Sequence, residues 1–158
     1  MIILAIDPGN EISAFVEWDT EKQEIVEKGI WPNDMLGAYL QTPPHRVDRV
    51  LCEMLACYGM PVGKEVFETA LWIGRFTVYS AFGGNPVILI YRKDIKMHFC
   101  NSNRAKDSNV RQALIDRLGK PGTKKQPGKA YGVSKDIWSA LAIALYWMDT
   151  GGKNGEAR

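Results

Sequence analysis

The chain has 158 residues, 46% hydrophobic and 24% charged, which suits one compact domain with a sizeable core. Its formal net charge of +2 neither demands nor excludes a polyanionic partner, so the distribution of charge along the chain must decide. Cys52, Cys57 and Cys100 form no Cys-x-x-Cys pair and read as reduced core thiols; with only His45 and His98 besides, a zinc site of nitrogen and sulfur ligands is disfavoured, and any metal should be held by oxygen.

Ile2 to Ile6 is an unbroken apolar run that ends in Asp7 and the turn signal Pro8-Gly9-Asn10. It reads as a strand buried on both faces, with an acid at the carboxyl end where ligands collect in open α/β sheets. Taken alone, Asp7 is first of all a turn opener. Glu11 to Asp19 alternates, with Ile12, Ala14, Val16 and Trp18 on one side, and predicts a half-exposed strand. A short connection leads to Glu24–Ile30, so the first three strands form an antiparallel meander. A helix over roughly Asn33–Gln41 follows Pro32 and stops at Pro43-Pro44.

Arg46 to Glu53 repeats the opening pattern: Val47, Val50, Leu51 and Cys52 precede a terminal carboxylate. Between Gly63 and Phe82, the residues Val66, Phe67, Ala70, Leu71, Gly74, Val78 and Ala81 recur at spacings of three and four and mark the longest helix, stopped by Gly83-Gly84. Pro86–Tyr91 is another buried strand, and strand, helix, strand in that order predicts a parallel crossover. Arg92, Lys93 and Lys96 then read as an exposed face on a helical turn. Asp107 or Ser108 caps an amphipathic helix carrying Val110, Ala113, Leu114 and Leu118, which ends at Gly119. From Gly119 to Gly132 the chain is basic and irregular, with Lys120, Lys124, Lys125 and Lys129 and no acid. Ser134 caps the last helix, whose buried stripe is Ile137, Trp138, Leu141, Leu145 and Met148, with Asp136 in its first turn. The apolar run Ile137–Met148 is too short to span a bilayer, and no signal peptide opens the chain, so the expectation is a soluble, cytoplasmic protein with no membrane partner. Residues 1–150 are expected to form a single domain and 151–158 a flexible tail. Trp72, Trp138 and Trp147 lie at core-like spacing and read as packing.

Asp7 and Glu53 thus close two buried strands, and Asp136 opens a helix. If the strands are neighbours, the first two acids emerge side by side, and a helix packed across that edge brings the third to them. Like charges so close drive pKa values up unless cations neutralise them, and hard oxygen ligands suit Mg²⁺ or Mn²⁺. Two such ions, about 3.5–4 Å apart, would activate a water and stabilise the leaving oxygen of an in-line phosphodiester displacement.

Ile6-Asp7-Pro8-Gly9, Leu51-Cys52-Glu53-Met54, the run Lys106–Leu114 and the run Asp136–Ala142 together resemble the RuvC family of Holliday junction resolvases, most of all its bacteriophage-encoded branch. The resemblance spans nearly the whole chain. It implies an α/β, RNase H-like fold: a five-stranded mixed sheet, first three strands antiparallel and then parallel, flanked by helices. It also implies a homodimer that binds branched DNA and cuts paired strands of four-way junctions with divalent metal, in recombination and repair within a bacterial or phage-infected cell. Asp7, Glu53 and Asp136 match the family's first three acidic ligands, and Lys106 resembles a family lysine near the active site. The fourth acid, three residues after the third, is replaced by Ser139. Either three acids suffice, with Ser139 or water completing the shell, or Asp107 substitutes; the first is preferred because Asp107 suits a helix cap. The family's aromatic wedge shortly after its glutamate is also missing, and Tyr58 is the nearest candidate.

Phosphate contacts carry most of the affinity for nucleic acid. Lys124, Lys125 and Lys129 form a cationic arm that would reach a phosphate backbone, with Tyr131 to stack on a base; the other reading is a solvated connection. Two alternatives remain for the whole chain: a nuclease of the same fold acting on RNA or RNA–DNA hybrid, and a catalytically weak module that binds branched DNA. A phosphate binder of the actin and sugar-kinase type is set aside because it needs two such domains.

Overall fold

In the computed structural model, residues 1–57, 59 and 61–151 are described. Five strands, β1 (Ile2–Asp7), β2 (Ile12–Asp19), β3 (Glu24–Pro32), β4 (Arg49–Met54) and β5 (Val87–Tyr91), form one sheet in the order β3-β2-β1-β4-β5. β1 pairs antiparallel with β2 and β2 with β3, whereas β1 pairs parallel with β4 and β4 with β5. The β1–β4 register ends at Ile6 opposite Cys52, so the next residues on the two strands, Asp7 and Glu53, leave the sheet at the same carboxyl edge.

Alternation along the strands divides the core into two layers. On one face, Ile3, Ala5, Val16, Trp18 and Leu51 pack with α4 (Asp107–Leu118) and α5 (Ile137–Thr150) through Val110, Leu114, Trp138, Leu141 and Leu145. On the other, Leu4, Ile6, Phe15, Val50 and Cys52 meet α1 (Asn33–Gln41) and α2 (Lys64–Phe82) through Leu36, Leu40, Ile73 and Phe76. Both faces of β1 are therefore buried, as its unbroken apolar run requires.

β2 is also covered on both sides, where alternation predicted a half-exposed strand. Its polar residues are satisfied internally: the Ser13 hydroxyl donates to Asn33 Oδ1 at 2.6 Å, and fully buried Glu17 accepts from the Tyr39 hydroxyl and pairs with His45 at 2.7 Å. β4 starts at Arg49, later than expected, because Asp48 turns back to accept the Ile2 N–H at 2.8 Å. The buried face of α2 is Thr69, Ile73, Phe76 and Ser80. The apolar stripe that marks this helix in the sequence faces outward instead, with Phe67 62%, Leu71 64%, Val78 51% and Phe82 79% exposed.

The charged stretch after β5 is a nine-residue helix, α3 (Arg92–Cys100), that begins with no intervening loop. Neither Asp107 nor Ser108 caps α4; Lys106 holds that position and donates its N–H to Asn109 Oδ1 at 2.9 Å. The basic loop contains a small hairpin, β6 (Gly122–Thr123) with β7 (Gln126–Pro127). Ser134 does not cap α5 with its side chain; Asp136 is the N-cap, and the Ser134 carbonyl accepts from Ile137 N–H at 3.0 Å. Cys52 is buried, but Cys57 is exposed and Cys100 half-buried, so the three are not all core thiols. Tyr58 and the tail beyond Gly151 lie outside the described residues. Among the described residues, no helix is long and apolar enough to cross a membrane.

Candidate active site

Asp7 owes its position to β1 and to the turn that follows. A Cβ on Gly9 would lie 2.3 Å from the Ile12 carbonyl oxygen, so only glycine closes this turn. Gly9 N–H donates to Ser13 Oγ at 3.1 Å, and its carbonyl accepts from Asn33 Nδ2 at 2.9 Å, which fastens the turn to the first residue of α1. Glu53 emerges from the parallel neighbour β4 with 13% of its side chain exposed. α5 lies across β1 and β2, and its amino end delivers Asp136 and, one turn later, Ser139 to the same edge.

The electrostatics reflect this proximity. Burial, then the Glu53 charge, then Asp136, push the Asp7 carboxyl up from 3.8 to about 7, against the opposing pull of Arg92 and a hydrogen bond from Ser139. Burial likewise raises Glu53, with Arg92 opposing. Ser139, at the place of the expected fourth acid, thus works against the raised proton affinity of Asp7. Beside these groups a cavity of about 320 Å³ is lined by Arg92, Asp107, Arg111, Lys135, Asp136 and Ser139 among others. Lys135 adopts a left-handed conformation (φ 46°), a strained residue immediately before Asp136.

Arg92 is the residue sequence reasoning missed. It is not part of an exposed face: its Nη1 donates to Glu53 Oε2 at 2.7 Å, and its Nη2 lies 3.0 Å from Asp107 Oδ1. Lys96 also pairs with Asp107, at 3.5 Å. Burial opposes a charge on Arg92, but Glu53, Asp7 and Asp107 outweigh it and hold the guanidinium firmly protonated. Burial likewise works against ionisation at Asp107, yet Arg92 and Lys96 hold its carboxyl below the usual range. The signal lies in the sheet register and not in the local sequence. Glu53 lies opposite Ile90 in the register, so the first residue beyond β5 had to emerge near that acid. Lys93 does point away, with its Nζ 5.8 Å from the Tyr91 ring centre.

Of the other expected residues, Lys106 is exposed beside Asp107 at the start of α4. Lys124 and Lys125 form the exposed turn of the β6–β7 hairpin, and Lys129 and Tyr131 are exposed after it. Trp138 is buried, with the Arg111 guanidinium 5.2 Å from its ring centre, and Trp72 and Trp147 are partly buried, as packing residues should be.

The donor set suits a hard divalent cation: two half-buried carboxylates with raised proton affinity, a third carboxylate and a hydroxyl. A cation there would relieve the repulsion that now lifts Asp7. As the side chains stand, however, no three Asp, Glu, His or Cys groups among the described residues close into a metal-holding cluster. Glu53 is turned toward Arg92.

A five-stranded sheet in the order β3-β2-β1-β4-β5, antiparallel and then parallel, with helices on both faces, is the RNase H-like fold. Within that class, the chain is similar to the structure of Thermus thermophilus RuvC, with a TM-score of 0.73, 18% identity and coverage of 96% of this chain and 97% of that one. T. thermophilus RuvC in complex with a Holliday junction substrate gives 0.71 and 17%, over 96% of each chain. At these identities the likeness is one of fold. No family model and no curated protein matches the chain.

Proposed function

We propose that this protein is a divalent-metal-dependent, structure-selective endonuclease, a crossover junction endodeoxyribonuclease that hydrolyses paired phosphodiester bonds in four-way or branched DNA. Its motifs are most like those of the bacteriophage-encoded resolvases. The observation that carries the proposal is the convergence of acids at one sheet edge: Asp7 and Glu53 leave neighbouring parallel strands together, and Asp136 and Ser139 join them from α5. They lie close enough that burial and the neighbouring charges raise the Asp7 carboxyl to about 7. Perturbation of that size among convergent acids supports a functional site.

Asp7, Glu53 and Asp136 would hold one or two Mg²⁺ or Mn²⁺ ions, with Ser139 beside Asp7. When bound, such ions supply an activated water and neutralise charge on the phosphate. Lys106, at the start of α4, contacts the phosphate flanking the cut. The β6–β7 turn presents Lys124 and Lys125, and with Lys129 they grip the backbone outside the active site, where Tyr131 stacks on an exposed base. The pairing of Asp107 with Arg92 and Lys96 favours Ser139 over it for the fourth position.

Cutting both strands of a junction requires two active sites, and the exposed face of α2 is the surface that would bring two copies together. Phe67, Leu71, Gly74, Val78 and Phe82 follow one another at helical spacing on its exposed face, with glycine at the centre where two helices would approach most closely. Nothing lies within 4 Å of a Cβ built on Gly74. A homodimer joined through this face is the proposed assembly.

The test is a substrate panel: labelled four-way junction, linear duplex and RNA–DNA hybrid, each incubated with Mg²⁺, Mn²⁺ or EDTA. Nicks confined to the junction and dependent on metal are expected. Preferential cutting of the hybrid would move the protein to the RNA-processing nucleases, and tight junction binding without any cutting would make it a binding module.

A further inference from the structure

Arg92 is half-buried between Glu53 and the exposed Asp107, at the sheet edge where Asp7 and Glu53 emerge. Its fork spans Glu53 at 2.7 Å and Asp107 at 3.0 Å, so it ties the end of β4 to the start of α4. The same guanidinium lines the cavity that also contains Asp136, Ser139, Arg111 and Lys135. A buried glutamate with no cation beside it would be costly, and Arg92 supplies one. A metal ion drawn to the same carboxylate would compete with the guanidinium, which now holds Glu53 Oε2.

We propose that Arg92 is an exchange residue: it neutralises Glu53 in the metal-free protein, yields that carboxylate when the acids take up their divalent cation, and then pairs with a DNA phosphate in the adjoining cavity. The planar fork that now grips two carboxylates fits two phosphate oxygens equally well. Arg92 thereby stabilises the folded protein before metal arrives, competes with metal for Glu53, and supports substrate afterwards.

This inference rests on the metal-nuclease proposal, and the experiment separates the two. Mn²⁺ binding to the full chain without DNA is measured by calorimetry for the parent protein and Arg92→Gln, alongside melting temperature in EDTA and junction cleavage at saturating Mn²⁺. Removing the competing charge should tighten Mn²⁺ binding on the order of tenfold. It should also lower the melting temperature in EDTA and slow cleavage at least tenfold. Tighter metal binding together with slower cutting is a combination that a merely structural brace would not produce, since losing a brace weakens both. Equal or weaker Mn²⁺ binding by a folded Arg92→Gln overturns the exchange role and leaves the nuclease assignment standing. Absence of Mn²⁺ binding by the parent and the variant alike overturns both. Should Arg92→Gln fail to fold, Arg92→Lys keeps the charge but cannot span both carboxylates. It should then bind Mn²⁺ about threefold tighter than the parent and cut more slowly; unchanged affinity overturns the exchange.

Discussion

Replacing Asp7 with Asn should stabilise the metal-free protein at neutral and alkaline pH while leaving it unchanged near pH 4. Burial and the neighbouring acids raise the folded-state pKa of Asp7 from 3.8 to about 7, so between those values the native state binds more protons than the unfolded chain. Stability must therefore fall as pH rises through that window, and asparagine, which cannot ionise, escapes the loss. At about 1.4 kcal/mol per pKa unit, the difference grows to about 4 kcal/mol by pH 8. For a chain of this size that corresponds to a gain on the order of 10 °C in melting temperature. The assay is thermal or urea denaturation of both proteins in EDTA at pH 4, 6 and 8. A stability difference that does not change with pH would refute the electrostatic origin, and so would an Asp7→Asn variant less stable than the parent at pH 8. Adding Mn²⁺ at pH 8 should raise the stability of the parent far more than that of the variant.

Restoring a carboxylate with Ser139→Asp should raise Asp7 further in the absence of metal and tighten Mn²⁺ binding several-fold by calorimetry; weaker binding would show that the serine hydroxyl is itself required. Changing Lys124, Lys125 and Lys129 together to Gln should weaken junction binding and reduce the slope of log affinity against log salt by roughly one for each lysine on a phosphate. An unchanged slope would return the hairpin to a solvated connection. Leu71→Glu with Val78→Glu places charges on the exposed face of α2 and should convert a dimer to a monomer in sedimentation experiments with little loss of fold, because both side chains are more than half exposed; a parent protein that is already monomeric would contradict the proposed assembly.

The site was legible where chemistry coincided with a change of local pattern. Asp7 and Glu53 each end an apolar run, so their place at a sheet edge followed from the strands themselves, and the β1–β4 pairing then made them neighbours. Arg92 was illegible for the opposite reason. It opens α3 directly from β5, and within a charged stretch nothing local distinguishes the guanidinium that turns inward from the lysine next to it. Asp107 has the composition of a helix cap, but Lys106 holds that position with its N–H on the Asn109 side chain, and the Asp107 carboxylate is drawn to Arg92 and Lys96. Periodicity located α2 without revealing its buried side, since an apolar stripe is the same signal whether it meets the core or another molecule. Glu17 shows the limit of alternation: a charged residue at an outward position on β2 is buried because Tyr39 and His45 close over it.

The central claim is that three carboxylates and a serine at one sheet edge form a metal-dependent nuclease centre. Its most direct test is to incubate an end-labelled four-way junction with the parent protein and Asp7→Asn in Mg²⁺ and to map the cuts on all four strands. A metal nuclease of this kind gives symmetrically paired nicks that vanish in EDTA and in the variant. Cleavage by Asp7→Asn at the parental rate would contradict it.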